Sequence, residues 1–280
     1  EKFADNILYI RKRNDGVYSH SAEIKSVSED ASKPIRNLSV RIVAPQTILT
    51  NNQIVVNIPN VRKPVPLFIL MRALGVESDK KIIQYCLLDL KENEHKVDFF
   101  RASIHDAGYV FTQEMALKYI GTLTKGKTVS HVLDILMQYF LPHIGELNFQ
   151  QKAFYLGYIV NRILRVYFKE EKPTDRDNFK FKRIELSGTL IYKLFQEYYS
   201  LQQKNIFLKI DKEYFYSKTQ SKVYQDLDFM NLINNNVNNI FSEKIVEMGF
   251  KKAFKGNWGA TAHTKKLGIV QDLNRLSFFS

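Results

Sequence analysis

Pro64-Val65-Pro66-Leu67-Phe68-Ile69-Leu70-Met71-Arg72-Ala73-Leu74-Gly75 is the stretch at which the hydrophobic period of the chain changes. Pro66 suits a first helical turn, residues 67–70 are apolar throughout, and Gly75 supplies a stop after Leu74, so a short buried helix is predicted here. Upstream the pattern is that of strands. Residues 7–10 lead into the turn signal Asn14-Asp15-Gly16 and then the stretch holding Ala22 and Ile24, which predicts a hairpin. Leu38, Val40 and Ile42 alternate until Pro45, and Ile54, Val55, Val56 and Ile58 run up to Pro59. Downstream, helices follow one another. Ser78 caps one over 79–88, Thr112 caps one over 113–120, and Ser130 is placed to cap a segment in which Leu133, Leu136, Tyr139 and Phe140 share a face before Pro142 closes it. Asn148 starts the longest run, 149–168, with Phe154, Tyr158, Ile159 and Ile163 as its apolar stripe and Arg162 and Arg165 outside it. A polar loop over 169–182 separates this from a helix starting near Leu186, and six asparagines between 231 and 239 suit a loop or weak helix rather than a core element. Strands first and helices after define an α+β fold class.

Composition narrows the function. The chain has 280 residues, 45% of them hydrophobic, with 35 Phe and Tyr, which excludes wholesale disorder and allows two domains. One cysteine, Cys86, rules out an intrachain disulfide and a Cys-based zinc site, and suits a reducing compartment. No apolar run approaches the roughly 18 residues of a membrane span. The expectation is a soluble, intracellular chain without a membrane partner, an excerpt or a processed piece. Charge is uneven. The net +12 comes largely from 162–222, with 14 basic and 8 acidic residues, and 244–275, with 7 and 2, whereas 1–152 carries 20 and 16. A polyanionic partner is therefore expected at the second half.

Gly121-Thr122-Leu123-Thr124-Lys125-Gly126-Lys127-Thr128 matches G-x-x-x-x-G-K-[ST], in which glycines let amides curl around phosphates while lysine and hydroxyl serve the γ-phosphate and Mg²⁺. A phosphate loop needs a buried strand before it, and 113–120 reads as helix instead. A glycine-punctuated connection between helices is the favoured reading; a nucleotide hydrolase using Lys127 and Thr128 is the alternative. The six histidines show no paired metal spacing, Asp175-Arg176-Asp177 reads as a local ion-pair cluster rather than a cation site, and Cys86 as inert packing. Gly256-Asn257-Trp258-Gly259 follows Lys251, Lys252 and Lys255 and holds the single Trp. It reads equally as a turn with Trp258 anchoring a core or as a nucleic-acid contact.

Taken in order, Ser19-His20-Ser21-Ala22-Glu23-Ile24-Lys25-Ser26, the Pro64 to Gly75 stretch, Phe140-Leu141-Pro142-His143-Ile144, and Lys152-Ala153-Phe154-Tyr155-Leu156-Gly157-Tyr158 with Asn161-Arg162 form a recognisable series. So do Asp175-Arg176-Asp177 with Lys182-Arg183-Ile184-Glu185-Leu186-Ser187-Gly188, and Gly256-Asn257-Trp258-Gly259 with Gly268, Gln271, Leu273, Asn274 and Arg275. The chain resembles the second-largest (beta-type) subunit of multisubunit DNA-directed RNA polymerases, of the eukaryotic, archaeal and large-DNA-virus type.

That resemblance implies a map: 1–19 ends a first protrusion segment, 20–188 is the lobe, 189–246 a second protrusion segment, and 247–280 the start of the fork. It implies a polymerase subunit, a nucleotidyltransferase as a whole, lining the DNA cleft and approaching the RNA–DNA hybrid during transcription. No catalytic residue, metal site or cofactor is expected in this segment, since the family's Mg²⁺ is held by the largest subunit. The implied partners are that largest subunit, other polymerase subunits, template DNA and the hybrid, with transcription factors as further candidates. The setting is nuclear or cytoplasmic, or a viral factory or virion. Candidate nucleic-acid contacts are Lys265, Lys266, Gln271 and Arg275; Lys266 stands where the family usually has arginine, 260–264 is shorter than the family's loop, and Asp272 replaces an apolar residue. A stand-alone basic nucleic-acid-binding module is a further alternative.

Overall fold

The computed structural model describes residues 2–13, 15–29, 33–45, 52–220, 229–241 and 244–273. It divides into two compact units, 1–183 and 184–280.

In the first unit, strands precede helices, as the α+β reading requires. A five-stranded antiparallel meander runs in sequence order through β2 (Leu8–Lys12), β3 (Tyr18–Ser26), β4 (Arg36–Val43), β5 (Ile54–Asn57) and β6 (Val65–Pro66), while β1 (Lys2–Phe3) pairs with β7 (Lys182–Arg183). The hairpin from β2 to β3 sets Ile10 opposite Ala22. At its turn the Asp15 carboxylate accepts from the Tyr18 amide at 3.0 Å and Gly16 takes φ +73°; Asn14 lies outside the described residues. Alternation decides which face is buried: Ala22, Ile24, Leu38, Val40, Ile42, Ile54 and Val56 all enter the core.

Pro66 departs from the expectation. It is the last residue of edge strand β6, opposite Val55, where a missing N–H costs no ladder bond, and α1 (Leu67–Ala73) starts immediately after it. Gly75 stops α1 as expected, at φ +98° with its amide donating to the Arg72 carbonyl at 2.9 Å. The helices α2 (Asp79–Leu87), α3 (Glu94–Val97), α4 (Arg101–Ala107), α5 (Gln113–Thr122), α6 (Val129–Gln138) and α7 (Phe149–Tyr167) complete the unit. Thr112 caps α5, accepting from the Met115 amide at 3.4 Å, whereas Ser78 stands at the N-cap position of α2 without a side-chain cap bond. The cap of α6 is Thr128, not Ser130, which lies inside the helix; Thr128 accepts from the His131 amide at 3.3 Å.

Helix α7 packs against β2, β3 and α2, through a stripe of Ala153, Leu156, Ile159, Val160, Ile163 and Leu164. Phe154 and Tyr158 are not part of it, being 47% and 44% exposed. They sit on the row that also carries Arg162 and Arg165, which share Glu171 at 3.0 and 3.2 Å, and Phe154 stacks on Tyr85 at 4.1 Å. Several family-like residues serve this packing. Gly157 lets the Tyr85 carbonyl approach, since a Cβ there would lie 2.5 Å from that oxygen. Asn161 donates to the Cys86 carbonyl at 2.8 Å. Buried Arg72 ties α1 to Asp79 at 2.5 Å and to the Val110 carbonyl, and Ser26 bonds the His143 ring at 2.7 Å.

The second unit holds α8 (Ser187–Gln220), α9 (Phe229–Asn235), α10 (Val237–Ile240) and α11 (Lys244–Phe254). The asparagine-rich stretch is therefore two short helices, which still bury Leu232 and Ile240. Gly249 brings α11 onto α8, as a Cβ there would stand 2.4 Å from the Tyr198 ring. Among the described residues, no helix is long and apolar enough to cross a membrane.

Candidate nucleic-acid interface

The basic glycine-tryptophan segment begins where α11 ends. Trp258 is 6% exposed and belongs to the core of the second unit with Leu194, Tyr198 and Ala253, its ring meeting Phe254 edge-on at 6.1 Å. The core-anchor reading of Trp258 is thus the correct one. Glycines flank it because the chain reverses on both sides: Gly256 takes φ +99° and Gly259 φ +109°, and a Cβ on Gly259 would lie 2.6 Å from the Thr264 carbonyl. The Lys266 amide then donates to the Trp258 carbonyl at 3.0 Å, closing an isolated antiparallel bridge. Between these residues, the Thr264 hydroxyl accepts from the Thr261 amide at 3.1 Å and donates to the Thr261 carbonyl at 3.3 Å, and the Ala260 amide is held by the Glu197 carboxylate at 3.0 Å.

This loop sorts the candidate contacts. Lys265 is exposed. Lys266 is half-buried and its ammonium is engaged by Glu185 at 2.7 Å, so it fastens the loop to the residues leading into α8. Glu185 also binds Lys193 at 3.3 Å. Burial pushes the Glu185 carboxyl up, but the hydrogen bonds and charges of Lys266 and Lys193 outweigh it and hold the group below the usual carboxylate range. Gln271 is exposed, with its side-chain amide donating to the Gly268 carbonyl at 3.2 Å. Arg275 lies outside the described residues. Lys252 and Lys255 add exposed charge on and just after α11. Sequence reading missed the two carboxylates that position this loop, Glu185 and Glu197. For Glu185 the signal was present in the Lys182 to Gly188 block; Glu197, one of three acidic residues in α8, stood in no such block.

The other candidates resolve into structure. Gly121 and Thr122 end α5, so a helix rather than a strand precedes the sequence resembling a phosphate loop. Thr124 is buried and folds back onto the Gly121 carbonyl at 2.9 Å, and Thr128 is spent on its cap. A phosphate-cradling loop needs the strand that is missing here. Asp175 accepts from the Asp177 amide at 3.0 Å, while Arg176 lies over the Phe3 and Tyr9 rings at 4.7 and 5.8 Å. The expected ion-pair cluster is replaced by a cation–π stack. Cys86 is fully buried, and burial pushes its thiol pKa far up, as inert packing requires.

Comparison with known proteins agrees with the order of motifs. Residues 22–185 match the family described as RNA polymerase Rpb2, domain 2. The chain is 33% identical over its whole length to DNA-directed RNA polymerase II subunit RPB2 of Encephalitozoon cuniculi, covering 24% of that protein. It is 30% identical, again over its whole length, to DNA-directed RNA polymerase II subunit 2 of Arabidopsis thaliana, covering 23% of it. With subunit Rpo2 of the Saccharolobus solfataricus polymerase it shares 29% identity over 56% of the chain and 14% of that protein. The chain spans about a quarter of the length of the first two relatives. On the match over 22–185 and the ordered motifs around it, the chain belongs to the RNA polymerase Rpb2 family, as a segment of a second-largest polymerase subunit.

Proposed function

We propose that the segment acts in transcription by positioning nucleic acid rather than by chemistry, as one wall of the DNA cleft of a multisubunit RNA polymerase. Within it, 1–19 and 189–246 act as protrusion, 20–188 as lobe and 247–280 as the start of the fork. The observation that carries this reading is the meeting of two distant family-like blocks. Glu185, from the Lys182 to Gly188 block, holds Lys266, from the block that follows Gly256-Asn257-Trp258-Gly259, at 2.7 Å. That tie presents Lys265 and Gln271 at the surface, where an ammonium and an amide suit phosphate and sugar or base edges respectively. Arg275 is a further contact in this reading, and Lys266 a positioning residue. Nucleotidyl transfer, with its Mg²⁺, belongs to the largest subunit, and this segment supplies no catalytic residue.

Co-expression with the largest subunit of the same polymerase tests the proposal. The chain is expected to co-purify with it, and to make no RNA alone. RNA synthesis by the isolated chain, or ATP binding that Lys127→Ala abolishes, would overturn the reading.

A further inference from the structure

On the outer face of the five-stranded sheet, register aligns Arg11 of β2, Ser21 of β3, Arg41 of β4 and Val55 of β5 in one row. Residues directly opposite in antiparallel strands share a face at about 5 Å. Their neighbours along each strand, Ile10, Ala22, Ile42 and Ile54, all lie in the core, so the row faces away from it. Ser21 is nevertheless wholly buried, and its hydroxyl has no hydrogen-bond partner among the described residues. Its neighbour Arg41 repeats the anomaly: Nε is buried without an acceptor, and the guanidinium lies over the Tyr18 ring at 5.0 Å without an ion pair among the described residues. Adjacent buried donors that both lack an acceptor are uncommon in folded proteins.

The surrounding charge says which acceptor fits. Arg11 and Arg13 approach Glu23 at 2.7 and 3.6 Å, and Arg13 also meets Asp15 at 3.3 Å. Lys25 is exposed two residues beyond Glu23, on the same side of β3. Both carboxylates are thus already paired, and Arg41 and Lys25 leave the face positive.

We propose that Ser21 and Arg41 form a site for a phosphate oxyanion on this face. One phosphate oxygen takes the Ser21 hydroxyl and another the Arg41 fork, a geometry that guanidinium matches and ammonium does not. The Tyr18 ring supports the guanidinium plane from its other side. Such a phosphate belongs either to a nucleic-acid backbone or to a free anion. The backbone source rests on the polymerase reading; the oxyanion site does not.

The test titrates the isotope-labelled 280-residue chain with inorganic phosphate and, separately, with a short DNA duplex, following the Ser21 and Arg41 amides by NMR. Ser21→Ala and Arg41→Gln are each expected to weaken phosphate binding about tenfold. Arg41→Gln is also expected to lower the salt slope of duplex binding by about one. A response to phosphate alone identifies a free anion and a response to the duplex identifies a backbone; either supports the site. No shift at these amides with either probe, or wild-type affinity in both variants, overturns it. Ser21→Ala removes a single oxygen and keeps the test open if Arg41→Gln does not fold. Failure to co-purify with a largest subunit would sink the polymerase assembly without touching this outcome.

Discussion

Lys152 is buried to 0% exposure, with its ammonium donating to the Leu136 and Met137 carbonyls at 2.7 and 3.0 Å. Those oxygens are among the last of α6, so one side chain of α7 serves as the C-terminal cap of its neighbour. Burial pulls its pKa down to about 8, against the opposing charge of Glu146. An unfolded lysine keeps its proton to about pH 10.4. Between those values the unfolded chain binds more protons than the folded one, so this group makes stability rise with pH, by at most about 1.4 kcal/mol per unit. Lys152→Met should abolish that rise in urea unfolding followed from neutral pH to about pH 10, and at neutral pH should cost about 1–3 kcal/mol for the two orphaned carbonyls. Glu185 works with the same sign in a lower window. Its carboxyl is held below its ordinary value, so its contribution is present above the ordinary carboxylate range and is lost as acid takes the pH through the lowered pKa. Glu185→Gln is expected to speed amide exchange at Trp258 and Lys266 and to remove the acid-dependent part of that exchange. Unchanged exchange would mean that the bridge between Trp258 and Lys266 stands without the ion pair.

Between elements, glycine decides how closely helices approach. Gly157 sits on α7 where the Tyr85 carbonyl of α2 would meet a Cβ at 2.5 Å, whereas Gly188, in the first turn of α8, has nothing within 4 Å of a Cβ. Gly157→Ala must move backbone and should cost about 1–3 kcal/mol. Gly188→Ala should instead stabilise by up to about 1 kcal/mol, because alanine loses less backbone entropy in a helix. Paired urea titrations of the two variants check both signs. The same contacts explain what was legible in the sequence. Strand alternation marked β3, β4 and β5 because one face of a sheet packs and the other does not, and Thr112 and Gly75 marked ends because caps are local chemistry. The α7 stripe was misjudged at Phe154 and Tyr158 because large aromatic side chains weigh heavily in an apolar count, while the buried stripe also takes in Ala153, Leu156, Val160 and Leu164 beside Ile159 and Ile163. The cap at Thr128 was hidden by a phosphate-loop pattern that uses the same hydroxyl for another purpose. At the candidate interface, exposed Lys265 was readable from charge, but the engagement of Lys266 by Glu185, 81 residues away, depends on tertiary structure that no local pattern encodes.

The two units differ in how much core they hold. The first has one continuous apolar cluster from Ile10 to Val166, reaching through the sheet and α1, α2, α5, α6 and α7. Among the described residues, the second unit's largest cluster is built on Leu194, Tyr198, Ala253 and Trp258, while α8 leaves Tyr192, Phe207 and Leu208 more than half exposed. Burial sets stability, so the second unit should open at lower denaturant than the first. The composition provides one reporter for each: the single Trp is in the second core and the single Cys in the first. Cys86 is fully buried with its thiol pKa raised, and only the thiolate reacts, so labelling requires that α2 come away from α7. Trp258 emission should therefore shift to the red in urea before Cys86 becomes reactive, giving two displaced transitions rather than one. Coincident transitions would mean that 1–183 and 184–280 unfold as a single cooperative body. If they are displaced, the loop bearing Lys265 and Gln271 rests on the weaker unit, and any partner or nucleic acid that binds there should bring the Trp258 transition toward that of Cys86 by mass action.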